Sequence, residues 1–210
     1  MNKIRIKICG ITRSKDANAA VELGADALGF IFFPKSPRFI SLAEAKIIVS
    51  SISPFIAKVG LFVNPSRNMV ETCIKNVGID TLQFHGDESP EFCNTFGLPW
   101  IKTISVGDNA DLEEEIRSYK DASAYLFDTK KVGCYGGTGQ TFNWNLIPKG
   151  IDKPFIVAGG LKLDNIEEAA RIPDLYAVDV CSGVEEEKGI KSRPLMRDFI
   201  EKVNKEKFNA

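Results

Sequence analysis

Eight short runs of β-branched and aromatic residues alternate along this chain with stretches of helical apolar periodicity. Gly, Pro, Ser and Asn fall at the boundaries between them, as is typical of turns and helix caps. The predicted strands span residues 4–9, 27–32, 57–63, 81–85, 100–105, 124–128, 154–159 and 176–181. The predicted helices span residues 14–23, 41–50, 66–76, 89–96, 111–119, 142–147, 164–171 and 195–205.

Eight βα units within 210 residues predict an α/β fold, a single-domain (β/α)₈ TIM barrel over residues 1–210. A doubly wound open sheet is the structural alternative. In a barrel, the loops at the carboxyl ends of the strands build the active site. The residues near those ends are therefore the candidates for function.

Side chains alternate between the two faces of a strand. In the first strand Ile6 and Ile8 share one face and Lys7 and Cys9 share the other. We expect the isoleucines to contact helices and the polar pair to face the barrel interior. The same alternation places three more polar residues inside, Gln83, His85 and Asp179.

The composition indicates a small-molecule partner. The net charge is -1 and the basic residues are scattered, so the chain lacks the basic patch that binds nucleic acid or an acidic membrane surface. Charges interrupt the apolar residues at the N-terminus, and no segment approaches the roughly 20 apolar residues of a membrane span. We expect a cytoplasmic protein.

Cysteine and histidine usage argues against disulfides and metal. The five cysteines are widely spaced and include no C-x-x-C pair, which is unlike a disulfide framework or a structural zinc site. His85 is the only histidine, so a site rich in histidine ligands is excluded.

Cys9 and Asp128 are the candidate catalytic residues. Cys9 ends the first strand beside Gly10, and its thiol can act as a base if a nearby cation such as Lys7 lowers its pKa. A buried, inert cysteine is the alternative. Asp128 ends the apolar sixth strand, where desolvation would raise its pKa and suit it to general-acid chemistry. Its alternative is a loop or helix-capping carboxylate.

Two further polar residues have two interpretations each. Asp179 lies inward on the eighth strand and either contacts substrate or only pairs with Lys7. His85 is either a proton carrier or a histidine satisfied by Gln83 or by backbone.

Glycine-containing loops predict a phosphate site. They lie at residues 136–139, 159–160 and 182–183, and their free backbone N–H groups suit an anion. The loop at 34–39 presents Arg38, whose guanidinium is suited to clamping a carboxylate, although a solvated surface arginine is the alternative.

The remaining cysteines and one charged run have simple interpretations. Cys73 and Cys93 are expected to pack inside helices, and Cys134 to be an exposed loop thiol. The run EEEK at 185–188 is expected to be a solvated loop, with Glu185 bordering the site.

Several motifs together are similar to those of the phosphoribosylanthranilate isomerase family, and they cover most of the chain in order. They are KICGIT (7–12), GFIFFPKSPR (29–38), VGLFVN (59–64), LQFHGDE (82–88), LFD (126–128), GGTGQTFNW (136–144), AGGL (158–161) and DVCSGVE (179–185). The resemblance implies a (β/α)₈ barrel without metal or organic cofactor. It also implies an Amadori rearrangement of a small phosphosugar in tryptophan biosynthesis, by a monomer or homodimer.

The resemblance also implies residue roles. Cys9 matches the general base and Asp128 the general acid, while Arg38 matches the arginine that receives the anthranilate carboxylate. The residues matching the substrate and phosphate contacts are Lys7, His85, Asp179, Gly159, Gly160, Ser182 and Gly183. The family usually has Ser at position 181 and Asp at position 192, where this chain has Cys181 and Ser192.

Three rival functions remain. A metal-dependent epimerase would need more ligands than His85 offers, and a Schiff-base aldolase would need a reactive lysine such as Lys7 or Lys102. The third possibility is a catalytically silent barrel that binds a phosphorylated ligand, because fold alone does not fix function.

Overall fold

The computed structural model describes residues 3–107, 111–129 and 141–206. Eight parallel strands form a closed barrel in chain order. They are β1 (Arg5–Ile8), β2 (Ala27–Ile31), β3 (Ala57–Phe62), β4 (Thr81–Phe84), β5 (Trp100–Val106), β6 (Ala124–Thr129), β7 (Phe155–Val157) and β8 (Ala177–Val180). Pairing of β1 with β8 closes the ring and sets Lys7 opposite Asp179. The predicted barrel is confirmed.

Helices connect the strands on the outside. The α-helices are α1 (Ser14–Glu22), α2 (Leu42–Ser50), α3 (Arg67–Thr72), α4 (Pro90–Cys93), α5 (Leu112–Ser118), α6 (Ile166–Ala169) and α7 (Arg193–Glu206). A π-helical turn (Cys73–Val77) continues α3, and a 3-10 turn (Asn94–Phe96) continues α4. Within the described residues no helix has the length and apolarity needed to cross a membrane.

The strand alternation predicted from sequence holds. Ile6 and Ile8 are buried in the layer between sheet and helices. A separate apolar cluster fills the barrel interior, with Ile101, Leu126 and Ile156 among its members. Because the interior is packed below, a cavity inside the barrel can open toward the carboxyl ends of the strands.

Several predicted elements differ in extent. The helix expected at 142–147 is only a 3-10 turn, Trp144–Leu146, and the helix expected at 164–171 is reduced to α6. The prediction of a solvated loop at 185–188 is wrong in part. Glu185–Glu187 forms β9, which pairs antiparallel with β10 (Ile190–Lys191). Buried contacts of Glu185 and Lys191 fix this hairpin against the barrel.

Cys73 and Cys93 are buried at 0% and 1% exposure, which confirms that they pack inside the fold. Burial raises the pKa of each thiol to about 12. Cys134 and the glycine loop at 136–139 lie outside the described residues.

Candidate active site

A cavity of about 350 Å³ opens at the carboxyl ends of the strands. Most of the residues singled out from sequence line it, namely Cys9, Arg38, His85, Asp128, Gly159, Gly160, Asp179 and Ser182. Gln83 and Cys181 line it as well. Two expected contacts, Lys7 and Gly183, are not part of the lining.

Lys7 lies inside the barrel, where its Nζ donates a hydrogen bond of 2.9 Å to Asp179 Oδ2. Both side chains are buried. Burial alone would lower the pKa of Lys7, but the charges and hydrogen bonds of Asp179 and Cys9 together outweigh burial and the pKa is raised. Asp179 Oδ1 is buried and has no hydrogen-bond partner within the described residues. The ion pair expected as the structural alternative is therefore present, and it leaves one acceptor unused.

Asp128 ends the apolar strand β6 and is 7% exposed. Desolvation, with a smaller contribution from the Asp179 charge, raises its pKa to about 6. Asp128 Oδ1 accepts a hydrogen bond of 2.7 Å from the Thr129 backbone N–H, and Oδ2 lies 3.4 Å from His85 Nε2. A carboxyl group with a pKa near neutrality can both donate and accept a proton at physiological pH.

His85 is neutral in this setting, because desolvation together with the Lys7 and Lys102 charges lowers its pKa to about 3. Its Nδ1 lies 3.4 Å from Gln83 Nε2. The contact with Gln83 is the one that the sequence offered as the simpler alternative, and a role of His85 as a proton carrier stays a prediction.

Cys9 is 3% exposed and lies beside Cys181. The hydrogen bond with Cys181 and desolvation raise the pKa of Cys9 well above its usual value, although Lys7 acts to lower it. Lys7 acts on Cys9 in the expected direction, but the Cys181 hydrogen bond and burial together outweigh its effect on the Cys9 pKa. The same thiol contact, with Lys191 and Arg38 nearby, lowers the pKa of Cys181 to about 7.

Arg38 is buried rather than solvated. Its Nε and Nη2 donate hydrogen bonds of 2.8 and 2.7 Å to the two carboxylate oxygens of Glu185. Lys191 Nζ also donates to Glu185, at 2.8 Å, and to the Cys181 backbone oxygen at 3.0 Å. A guanidinium has five N–H donors, so this fork leaves Nη1 for another acceptor.

Sequence reasoning missed this Glu185–Lys191 support of Arg38. The charged run at 185–188 has the composition of a solvated loop. The burial of Glu185 and Lys191 depends on the hairpin that they form, and the sequence carries no clear signal for it. Lys191 itself is 3% exposed.

The glycine loops after β7 and β8 pack closely. Gly159 and Gly160 have φ of 76° and 66°, which favour glycine, and both line the cavity with Ser182. Gly183 lies against the Leu161 backbone carbonyl, which leaves no room for a Cβ. Gly183 thus joins the two loops, while the other three residues face the open space.

No cluster of three or more His, Cys, Asp or Glu residues suited to a metal ion occurs in 3–107, 111–129 and 141–206. The lining residues include thiols, a carboxyl group of raised pKa and an imidazole, which are groups that carry acid–base chemistry.

Comparisons with known proteins agree on one family. The profile described as N-(5'phosphoribosyl)anthranilate (PRA) isomerase matches residues 6–202. The N-(5'-phosphoribosyl)anthranilate isomerase of Pseudomonas syringae pv. tomato is 48% identical over 204 residues, covering 97% of this chain and 99% of that protein.

Two solved structures are similar in fold and sequence. One is a phosphoribosyl anthranilate isomerase in complex with reduced 1-(o-carboxyphenylamino)-1-deoxyribulose 5-phosphate, with a TM-score of 0.85 and 34% identity over 96% of this chain and 99% of that one. The other is a monomeric form of the dimeric enzyme of Thermotoga maritima, with the same TM-score, identity and coverage.

Proposed function

This chain belongs to the N-(5'-phosphoribosyl)anthranilate isomerase family, and we propose that Asp128 and Cys9 are the general acid and general base of its reaction. The activity is the aldose–ketose isomerisation of N-(5'-phosphoribosyl)anthranilate in tryptophan biosynthesis. The observation that carries the proposal is that a carboxyl group of raised pKa and a thiol line one cavity.

The reaction needs one acid and one base. The acid protonates the furanose ring oxygen so that the sugar opens to a Schiff base, and the base takes the proton from C2 to give an enolamine, which tautomerises to the ketone. Asp128 on β6 and Cys9 after β1 are three strands apart around the closed ring. A sugar held between these strands can be protonated from one side and deprotonated from the other.

Cys9 can act as the base only as a thiolate. Before the reaction the negative charge of the thiol pair lies mainly on Cys181, whose pKa is lowered while that of Cys9 is raised. Transfer of the Cys9 proton to Cys181 provides it without release of a proton to water. Lys7 then stabilises the thiolate on Cys9, since its charge acts to lower the pKa of that thiol.

The substrate's two anionic groups are held by different parts of the cavity. Backbone N–H groups around Gly159, Gly160 and Ser182 are proposed to bind the phosphate. Arg38, held in place by Glu185, is proposed to contact the anthranilate carboxylate through the donors that Glu185 leaves free. Fixing both ends positions C1 and C2 between acid and base.

The assembly and compartment are proposals as well. The Thermotoga maritima relative is a dimer, and we propose a homodimer here rather than a monomer. Sedimentation of the purified chain tests this, and a monomer at micromolar concentration would contradict it. We further propose that the enzyme works in the cytoplasm without nucleic acid.

The test of the acid is Asp128→Asn, followed by the loss of substrate fluorescence during turnover. We expect kcat to fall by about 10²-fold or more with folding retained. Asp80→Asn is the matched control, because Asp80 pairs with Lys58 away from the cavity and is half-exposed. A folded Asp128→Asn enzyme with near wild-type turnover would remove Asp128 from the mechanism.

The test of the base is Cys9→Ser, since a hydroxyl of similar size accepts a proton far less readily near neutral pH. We expect a loss of about 10²-fold in kcat/KM with little change in stability. Cys73→Ala changes a buried thiol outside the cavity and is the control. Retention of most activity in Cys9→Ser would assign the C2 proton to another group.

A further inference from the structure

A row of hydrogen-bonding side chains inside the barrel leads from β5 to Asp128. Gln83 Nε2 lies 3.2 Å from Thr103 Oγ1 and 3.4 Å from His85 Nδ1. On the other side of the ring, His85 Nε2 lies 3.4 Å from Asp128 Oδ2. Gln83 and Thr103 are 1% and 4% exposed, so these contacts are buried.

The position of the single ring proton decides what this row does. His85 is neutral because burial lowers its pKa to about 3, and a neutral imidazole carries one N–H. If Gln83 donates to Nδ1, the proton must lie on Nε2 and face Asp128. If Gln83 instead accepts from Nδ1, the lone pair of Nε2 faces Asp128.

Hydrogen-bond satisfaction favours the first arrangement. With Nε2 of Gln83 toward Thr103 and His85, one acceptor, Gln83 Oε1, has no partner in the described part of the chain. Reversing the amide would put an NH₂ group there, leaving two buried donors unused in place of one acceptor. In addition, above pH 6 Asp128 is mainly a carboxylate and needs a donor rather than a lone pair.

We propose that Gln83 is a positioning residue for the acid, because it holds His85 with its proton on Nε2 and so directs an N–H at Asp128 Oδ2. This inference rests on the proposed role of Asp128. Thr129 N–H already occupies Oδ1, so both carboxyl oxygens accept an N–H and the acidic proton is left on the side of the cavity. When Asp128 gives that proton to the sugar, the N–H groups of Thr129 and His85 are already positioned to stabilise its negative charge.

Other charges also face Asp128 and stay constant in the test. Lys7 on β1 lowers its pKa and Asp179 on β8 raises it. Lys102 on β5 acts on His85 from the outer side of the barrel wall. None of these charged residues contacts Gln83 in the row described above. A change at position 83 therefore alters the hydrogen bond to the His85 imidazole and leaves these charges in place.

The direct test uses the fact that His85 is the only histidine in the chain. Labelling with ¹⁵N-histidine and recording two-bond ¹H–¹⁵N correlations assigns the protonated ring nitrogen without ambiguity. We expect a protonated Nε2 and an unprotonated Nδ1 across the neutral pH range. A protonated Nδ1 in the wild-type protein overturns the proposal, whatever the activity of any variant.

The kinetic test is Gln83→Leu, with Thr103→Val as the matched control. Loss of a hydrogen bond to the ionised form raises a carboxyl pKa, so the pH above which kcat declines should move upward in Gln83→Leu. We expect kcat to fall about tenfold at constant KM, the scale of one hydrogen bond to a charged group. Thr103→Val keeps the Gln83–His85 contact and should lose less than about threefold.

The outcomes are separable. A KM rise with unchanged kcat in Gln83→Leu means that Gln83 contacts substrate and overturns the positioning role. A pH profile that coincides with that of the wild type does the same. If Gln83→Leu fails to fold, the tautomer of His85 measured in the wild-type protein still tests the proposal. An active Asp128→Asn enzyme would remove the acid but would leave the tautomer result unchanged, so the two failures are distinguishable.

Discussion

The barrel wall carries a buried lysine–carboxylate pair on each of its two sides. Inside, Lys7 Nζ lies 2.9 Å from Asp179 Oδ2. Outside, between sheet and helices, Lys102 Nζ lies 3.2 Å from Glu88 Oε2, and both side chains are 2% exposed. The two pairs have the same chemistry and nearly the same burial, but they differ in what else their atoms contact.

The outer pair is saturated. Glu88 Oε1 accepts from the Asn64 backbone N–H and its carboxylate also accepts from the Gly86 N–H. Lys102 donates to the Gly86 carbonyl and lies 4.8 Å from the centre of the Tyr119 ring. This pair therefore fastens the loop after β4 to the barrel wall.

The inner pair is incomplete, because Asp179 Oδ1 has no partner among the residues described. Leaving a buried acceptor unused costs about 1–3 kcal/mol, and natural structures keep few such groups. The difference indicates that the outer pair serves stability and that the inner pair holds an acceptor ready for a ligand. One variant of each pair and two variants of neighbouring cavity residues test this difference, from the largest expected effect to the smallest.

The largest effect is expected from Lys102→Met. Removing one partner of a buried pair leaves an uncompensated charge, and the free energy of unfolding should fall by about 3–5 kcal/mol. Activity per folded molecule should fall less than stability does, because Lys102 does not line the cavity and acts on His85 only through its charge. Urea titration and active-site-normalised kinetics measure the two effects separately.

Lys58→Met is the matched control for that loss. Lys58 also pairs with an aspartate at 2.9 Å, but Asp80 in that pair is 43% exposed. An exposed pair contributes less than about 1 kcal/mol, so the control should lose little stability. Equal losses in the two variants would show that burial of the Lys102–Glu88 pair is irrelevant to its contribution.

The second effect is an increase in stability from Asp128→Asn. Burial raises the pKa of Asp128 from 3.8 to about 6, so the folded state binds this proton more tightly than the unfolded chain. The associated stability is present below pH 3.8 and is lost as the pH rises through about 6. Asparagine does not ionise, and the variant should exceed the wild type by at most about 3 kcal/mol above pH 7.

Denaturation of both proteins at pH 4 and pH 8 checks this sign. The stability difference should be small at pH 4 and should favour Asp128→Asn at pH 8. The opposite order at pH 8 would mean that the carboxylate is stabilised in the fold, and the raised pKa would then be wrong.

The third effect is that of Lys7→Met on both kcat/KM and stability. Its loss should raise the pKa of Asp128, since Lys7 acts to lower it, and should remove the cation that stabilises a Cys9 thiolate. We expect kcat/KM to fall by about tenfold to a hundredfold. The stability loss should be smaller than for Lys102→Met, because Asp179 lines the cavity and can be solvated there. A larger stability loss in Lys7→Met would reverse the contrast between the two sides.

The two pairs also differ in how far sequence could predict them. Strand alternation alone put Lys7 and Asp179 on one inward face, because both lie on regular strands that meet when the barrel closes. Glu88 lies in the loop after β4, where no period relates a side chain to a strand. From sequence, its partner Lys102 is a candidate only for a Schiff-base lysine. In the structure Lys102 points outward, and its ion pair with Glu88 explains why it is buried.

The same limit explains the other differences. Cys9 and Asp128 end strands and were predicted, whereas the hold of Glu185 and Lys191 on Arg38 joins two loops that are far apart in sequence. The pKa of Cys9 depends on such a contact as well. Sequence offered Lys7 as the neighbour of Cys9, but the folded chain adds Cys181, and that thiol changes the direction of the shift.

The smallest effect is expected from Cys181→Ser, which restores the residue usual in the resembled family. In the wild type the thiol pair loses its first proton near pH 7, mainly from Cys181, which Lys191 and Arg38 stabilise as a thiolate. Serine does not ionise in this range, so only Cys9, desolvated and farther from those charges, can supply the base. The pH at which kcat/KM rises should therefore move upward, with a loss of about tenfold or more at pH 7 that is recovered only at higher pH. Cys73→Ala, a buried thiol outside the cavity, should leave the profile in place. Coincident profiles for Cys181→Ser and the wild type would mean that Cys9 ionises without its neighbour, and the proton transfer between the two thiols would have to be abandoned.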